Sequence, residues 1–163
     1  MALNINKTML PGVLLIKPDV FEDHRGQYIE IYNEKDYPDY KGTPIKFVQD
    51  DISVSRFKVL RGVHGDHHTW KLISCLYGHI YLVVVAPNRL THESFTISEH
   101  NRRQVLVPPS HGVGHVVLTD KAIFHYKQST HYDRESQFTI KWNDPALAID
   151  WPIKDPILSQ RDS

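Results

Sequence analysis

Apolar residues in this chain recur in short runs, often alternating with polar ones and almost nowhere at helical spacing. The clearest runs are GVLLIKP (12–18), GQYIEIY (26–32), IKFVQDDISVS (45–55), KVLRGV (58–63), WKLISCLYGHIYLVVVA (70–86), ESFTISE (93–99), QVLVPP (104–109), GHVVLT (114–119) and AIFHYKQST (122–130). They are rich in β-branched and aromatic residues, which suit a pleated surface. Turn formers separate them: EDHRG, PDYKGTP, APNRL, PPSHGVG, HYDRES and NDPA. Within 70–86, LYGHIY reads as a tight hairpin, with Gly78 taking a backbone angle closed to other residues. Many short strands at near-regular spacing, without repeat or linker, predict one all-β domain over 1–163, a sandwich or barrel with little helix.

Strand alternation also assigns faces. Strict period two puts Arg61 and Val63 on one side of RGVHG and His64 on the other. It puts Phe124, Tyr126 and Gln128 on one side of FHYKQ, with His125 and Lys127 opposite. His64 and Tyr126 are thus candidates to face a common interior.

Charge narrows the partners. Lys plus Arg and Asp plus Glu are equal at 19 each, so no global field recruits nucleic acid or an anionic membrane. A local basic pocket for phosphate remains compatible with that balance. The longest apolar stretch, IYLVVVA (80–86), is far too short to span a bilayer. No secretory signal opens the sequence, and the single Cys75 reads as a core thiol, so the expected location is the cytoplasm.

The chemistry concentrates in VLRGVHGDHHTWKL (59–72), which carries His64, His67 and His68 beside Arg61, Asp66 and Lys71. Neutral imidazole is a common ligand for divalent metals. Metal-binding cupins usually offer two histidines one residue apart, then a glutamate and a distant histidine. Here His64 and His67 are three apart, which is off-register for one strand face, and Lys71 stands where a carboxylate would follow. An ammonium repels a cation, so no metal is expected, and proton transfer is the better reading of His64.

Seven segments, in order, resemble the dTDP-4-dehydrorhamnose 3,5-epimerase family: FEDHRGQYIEIY (21–32), FVQDDISVS (47–55), VLRGVH (59–64), KLISCLYGHIYLVVV (71–85), YKQSTHYDRES (126–136), NDPALAIDWP (143–152) and ILSQRD (157–162). The resemblance implies a homodimeric cupin jelly roll that epimerises a nucleotide-diphosphate 4-keto sugar at carbon 3, carbon 5 or both. Such a reaction deprotonates and reprotonates a carbon beside the keto group and needs no cofactor. No dinucleotide fingerprint or phosphate-binding glycine loop stands in the chain. By resemblance the catalytic set is His64 as base, Asp162 as its partner, Tyr126 as the acid on the opposite face and Lys71 near the keto oxygen. Arg25 and Arg61 match phosphate-contacting arginines, Tyr132 a second pocket tyrosine, His115 a distant pocket histidine, and Gln49 and Glu30 further pocket or dimer-edge positions.

The pattern also departs from the family. The segment from His64 to Lys71 is short, and VPPSHGVGHVVL replaces the usual run. An ungapped match puts Val113 at the family's histidine; a two-residue shift, preferred here, puts His115 there and His111 in the turn. Asp162 stands one residue from the last position of the sequence. These differences leave open whether one centre or two are inverted and whether the nucleotide is dTDP, GDP or UDP. A 3,4-ketoisomerase of the same fold, a metal-binding cupin and a sugar-nucleotide sensor remain alternatives. The dimer is expected to form because strands such as GVLLIK need an edge partner, which exchange across a two-fold axis would supply.

Overall fold

The computed structural model of the protein describes residues 2–163. Within them every regular element is a strand: β1 (Leu3–Lys7), β2 (Leu14–Pro18), β3 (Val20–Asp23), β4 (Gly26–Ile29), β5 (Asp39–Tyr40), β6 (Thr43–Pro44), β7 (Gln49–Arg56), β8 (Leu60–Gly65), β9 (Lys71–Tyr77), β10 (His79–Val85), β11 (His92–Ser98), β12 (Gln104–Val107), β13 (Gly112–Val117), β14 (Lys121–Gln128) and β15 (Phe138–Thr139). A six-stranded sheet runs β1-β2-β12-β9-β14-β7, and a five-stranded sheet runs β11-β10-β13-β8-β15. All of these pairings are antiparallel. The result is a cupin jelly roll.

Three apolar layers explain the sequence pattern. Between the sheets lie Ile73, Cys75 and Phe124 from one side and Ile80, Leu82, Val84 and Ile97 from the other. Outside the five-stranded sheet, Val63, Val83, Val85 and Val116 are covered by the C-terminal segment through Ile140, Leu147 and Trp151. Outside the six-stranded sheet, Ile16, Leu72 and Leu106 pack under Tyr37 and Ile45. β10 is therefore apolar at nearly every position because both its faces are covered, which hides the alternation expected of a half-exposed strand. Each of its fully buried valines contributes roughly 1.5–3 kcal/mol.

Gly78 turns β9 into β10 at φ 77°, as the hairpin requires, and a Cβ there would meet the Lys121 carbonyl oxygen at 2.2 Å. Cys75 is buried and free, and burial pushes its thiol pKa up to about 11, so it is a core residue.

The structure corrects three readings of the sequence. β1, β3, β5, β6 and β15 lie in stretches with no clear apolar run, and they are short or exposed strands held by pairing rather than burial. GVLLIK is not an unpaired edge, because β2 lies between β1 and β12. The edge strand on that side is β1. The third correction concerns β8 and decides the site.

Candidate active site

Strict alternation separates Arg61 from His64, yet both line one cavity. The cause is a bulge. On β13, Val113 pairs with His64 and His115 pairs with Arg61, so three steps along β8 answer two along β13. Gly62 sits in the bulge at φ 123°, where a Cβ would lie 2.5 Å from the Gly114 Cα. Glycine is needed here for both the backbone angle and the close approach. Beyond the bulge, Val63 turns outward into the layer under Ile140 and Trp151.

The cavity, about 230 Å³, opens between the two sheets. Arg61 and His64 (β8), with Val113 and His115 (β13), form one wall. Ser53 (β7), Lys71 and Ile73 (β9), with Phe124, Tyr126 and Gln128 (β14), form the other. Here alternation predicts correctly: Phe124, Tyr126 and Gln128 face the cavity, while His125 and Lys127 face away toward Asp50. Tyr132, Gln137 and Arg161 complete the rim.

His64 Nε2 lies 2.5 Å from Asp162 Oδ1. The other Asp162 oxygen accepts from Ser159 Oγ at 3.1 Å and faces the Gly62 amide at 3.4 Å. The carboxylate is buried, 6% exposed, so it holds the imidazole in a fixed tautomer with Nε2 protonated and Nδ1 carrying the lone pair. Burial lowers the His64 pKa below its ordinary value; Asp162 opposes this, and the charges of Arg161 and Lys71 add to it. The imidazole is thus neutral at neutral pH, the state a base needs.

Tyr126 stands on the opposite wall. Burial raises its pKa, helped by the neighbouring Asp51 and Tyr132 and opposed by Arg61, so the phenol stays protonated. Burial lowers the Lys71 pKa, with Asp66 opposing. Arg61 donates through Nε to Ser55 Oγ at 3.0 Å, which leaves its outer guanidinium nitrogens for a ligand. Arg161 is held by Thr139 Oγ1 at 3.1 Å.

Of the residues singled out in the sequence, His64, Asp162, Tyr126, Lys71, Arg61, His115 and Tyr132 come together here. Gln49 stands just behind, accepting from the Tyr132 amide at 2.9 Å and so fixing that loop. His115 is 3% exposed, stacks on Phe124 at 4.0 Å between ring centroids, and leaves Nε2 without a partner. Burial and the Arg61 charge push its pKa down to about 3. His111 lies outside the cavity, bonded to the Pro109 carbonyl at 3.1 Å.

Two residues are not brought in. Arg25 is exposed at the β3–β4 turn and ion-paired to Asp23 at 2.6 Å, and Glu30 lies beyond that hairpin. The clustered histidines also part. His67 bonds Ser110 Oγ at 3.1 Å and packs on Phe138, away from His64. Among the described residues no group of three His, Cys, Asp or Glu side chains converges on a metal-sized space. Nor is any helix long and apolar enough to cross a membrane.

Arg161, Gln137 and Ser53 line the cavity and were missed in the sequence. Arg161 directly precedes Asp162, and that adjacency was the available signal; nothing local marks the other two.

An imidazole paired with a buried carboxylate on one wall, facing a protonated phenol and the Lys71 amine on the other, is an arrangement able to move protons, set on the cupin scaffold of a nucleotide-sugar isomerase. Residues 7–163 match the model of the dTDP-4-dehydrorhamnose 3,5-epimerase family. The chain is 37% identical to the dTDP-4-dehydrorhamnose 3,5-epimerase of Escherichia coli K12, covering 98% of this chain and 91% of that one. It superposes on the crystal structure of the enzyme of that name from Elizabethkingia anophelis with TM-score 0.90 and 38% identity, covering 99% and 94% of the two chains. It also matches dTDP-6-deoxy-D-glucose-3,5-epimerase from Legionella pneumophila, solved in complex with dTDP-4-keto-L-rhamnose, at TM-score 0.91 and 35% identity over 98% and 89% of the chains. The chain belongs to the dTDP-4-dehydrorhamnose 3,5-epimerase family. It is an isomerase, a nucleotide-sugar epimerase.

Proposed function

We propose that residues 1–163 act as one catalytic domain that inverts carbon 3, carbon 5 or both in a dTDP-linked 4-keto sugar. The observation that carries this is the placement of His64 and Tyr126 on facing walls of one cavity, with His64 backed by Asp162. The C–H bonds beside a ketone are acidic, and inversion needs proton removal on one face and return on the other. His64 Nδ1 takes the proton. Asp162 accepts the Nε2–H bond and stabilises the imidazolium that forms. The Lys71 ammonium opposes the negative charge growing on the carbon-4 oxygen. Tyr126 gives a proton from the opposite wall, and the ketone re-forms with inverted configuration. His115, neutral and unpaired at Nε2, is a hydrogen-bond partner for the sugar.

Arg61 takes the diphosphate, because a guanidinium fork matches phosphate oxygens. Arg161, on the same rim, shares that role. Tyr132, exposed at the rim, offers its ring to the nucleoside. Arg25 and Glu30 lie outside this chain's own cavity, so their contribution comes from the second subunit of a homodimer. Exposed Ile52 and Val54 on the edge strand β7 supply apolar surface for that association. The working compartment is the cytoplasm.

Deuterium wash-in tests the reading. dTDP-, UDP- and GDP-linked 4-keto-6-deoxyhexoses are incubated with enzyme in heavy water, and exchange is followed by proton NMR. Exchange at carbon 3 or carbon 5 with inversion, fastest for the dTDP sugar, is the expected result. Migration of the keto group to carbon 3, or no exchange with any of the three, overturns it.

A further inference from the structure

Asp51 and Asp50 are neighbours on β7 with opposite fates. Asp50 points outward and is neutralised by Lys127 at 2.8 Å. Asp51 points inward and, among the described residues, has no cationic partner. Its Oδ2 accepts from Gln128 Nε2 at 2.7 Å and from Gln49 Nε2 at 2.8 Å. Both donors are neutral amides, so the carboxylate is oriented while its charge is left standing.

That charge is aimed by the sheet register. Asp51 is the direct cross-strand partner of Tyr126. Directly opposed residues on one face of an antiparallel pair place their Cβ atoms about 4.5–5.5 Å apart. Gln128, two residues along β14 on the same face, closes the bracket, and Gln49 ties Asp51 to the Tyr132 amide. The Tyr126 hydroxyl has no hydrogen-bond partner among the described residues and faces the cavity.

We propose that Asp51 is a positioning residue for the acid: its amide-clamped carboxylate faces Tyr126 across the β7–β14 ladder and keeps the phenol protonated between turnovers. This rests on the proton-donor role given to Tyr126 above. The physical reason is like-charge repulsion. A tyrosinate formed beside Asp51 is a second anion in a partly buried site, so it recovers a proton promptly and does not persist as a competing base.

The charged and titratable groups around the phenol come from every wall: Asp51 (β7), Arg61 and His64 (β8), Lys71 (β9), His115 (β13), Tyr132 and Arg161. Burial disfavours the tyrosinate most, Asp51 and then Tyr132 add to that, and Arg61 favours it. Removing the Asp51 charge therefore takes away the leading charge contribution and makes Tyr126 more acidic, with burial still acting.

The test pairs Asp51→Asn, which keeps an oxygen for the two glutamines but removes the charge, with Asp51→Glu, which keeps the charge. Tyr126 is followed in protein carrying 13C-ζ-tyrosine, assigned by Tyr126→Phe, through an alkaline NMR titration without substrate. Asp51→Asn should titrate Tyr126 at lower pH than wild type, while Asp51→Glu stays near wild type. An unmoved Tyr126 titration in Asp51→Asn, or equal shifts in both variants, overturns the proposal. The titration needs no turnover, so absence of epimerase activity would defeat the functional reading while this test still stands.

Discussion

His64 Nε2 and Asp162 Oδ1 meet at 2.5 Å across 98 residues of chain. The carboxylate is buried and also tied to Ser159 Oγ, so the imidazole is fixed by a residue far along the chain rather than by its own strand. A base whose orientation depends on a distant anchor can be tested at either end.

His64→Asn removes the proposed base. Loss of a general base typically costs about 10²–10⁴ in rate. Turnover and deuterium exchange should both fall by that factor, while nucleotide binding, read by calorimetry with dTDP, changes little. Near-normal inversion in this variant would remove His64 from the mechanism.

Asp162→Asn should show a distinctive combination. His64 must be neutral to act in the proposed role, and burial already holds its pKa below the usual value, so the acid limb of kcat/KM lies below pH 6.5. Asp162 is the group that raises that pKa. Without its charge the acid limb moves to still lower pH, while the plateau rate drops to between wild type and His64→Asn. A limb that moves up would contradict the assigned role.

Tyr126→Phe separates exchange from inversion. His64 can still remove a proton and return it to the same face, so exchange persists. Inversion loses its opposite-face donor and should fall by about 10²–10⁴. NMR in heavy water reads both quantities in one sample. If they fall in parallel, Tyr126 is not the donor.

His115 makes stability depend on pH. Its folded-state pKa, about 3, lies well below the ordinary histidine value of 6.5, so the unfolded chain binds more protons between those limits. Stability contributed by the neutral ring is present above pH 6.5 and is lost as pH falls toward 3. His115→Phe preserves a ring against Phe124 and removes the titration. Urea midpoints of wild type and variant should diverge as pH drops from 7 to 4, with the variant the less sensitive. Parallel curves would mean His115 is not held neutral by the fold.

Gly62→Ala should damage fold and site together. The new Cβ meets backbone of β13, and φ 123° is hostile to side chains. Strain of this kind costs about 1–3 kcal/mol. At roughly 2–4 °C per kcal/mol for a chain of this size, calorimetry should resolve the loss. Activity should fall further than stability alone explains, since the bulge sets the spacing of Arg61 and His64.

Much of the fold was written in local pattern. The runs at β2, β7 to β14 and the Gly78 turn were legible because burial on one or both faces leaves a periodic or continuous apolar signal. Tyr126 could be placed beside Phe124 and Gln128 because alternation is a property of the strand's own backbone. The segments carrying His64, Lys71, Tyr126 and Asp162 were recognisable as a family set in order.

Three features were decided only by folding. The pairing of β8 with β13 creates the bulge that brings Arg61 and His64 to one wall, and register belongs to two strands at once. Arg161, Gln137 and Ser53 reach the cavity because the C-terminal segment and β7 close over it; Arg161 is marked only by its adjacency to Asp162, and the other two carry no mark of their own. Arg25, assigned by motif to the phosphates, sits on a hairpin that this chain directs away from its own cavity. Sequence spacing describes neighbours along the backbone. Convergence of side chains from separate strands is set by closure of the two sheets around a shared core, which no single segment encodes.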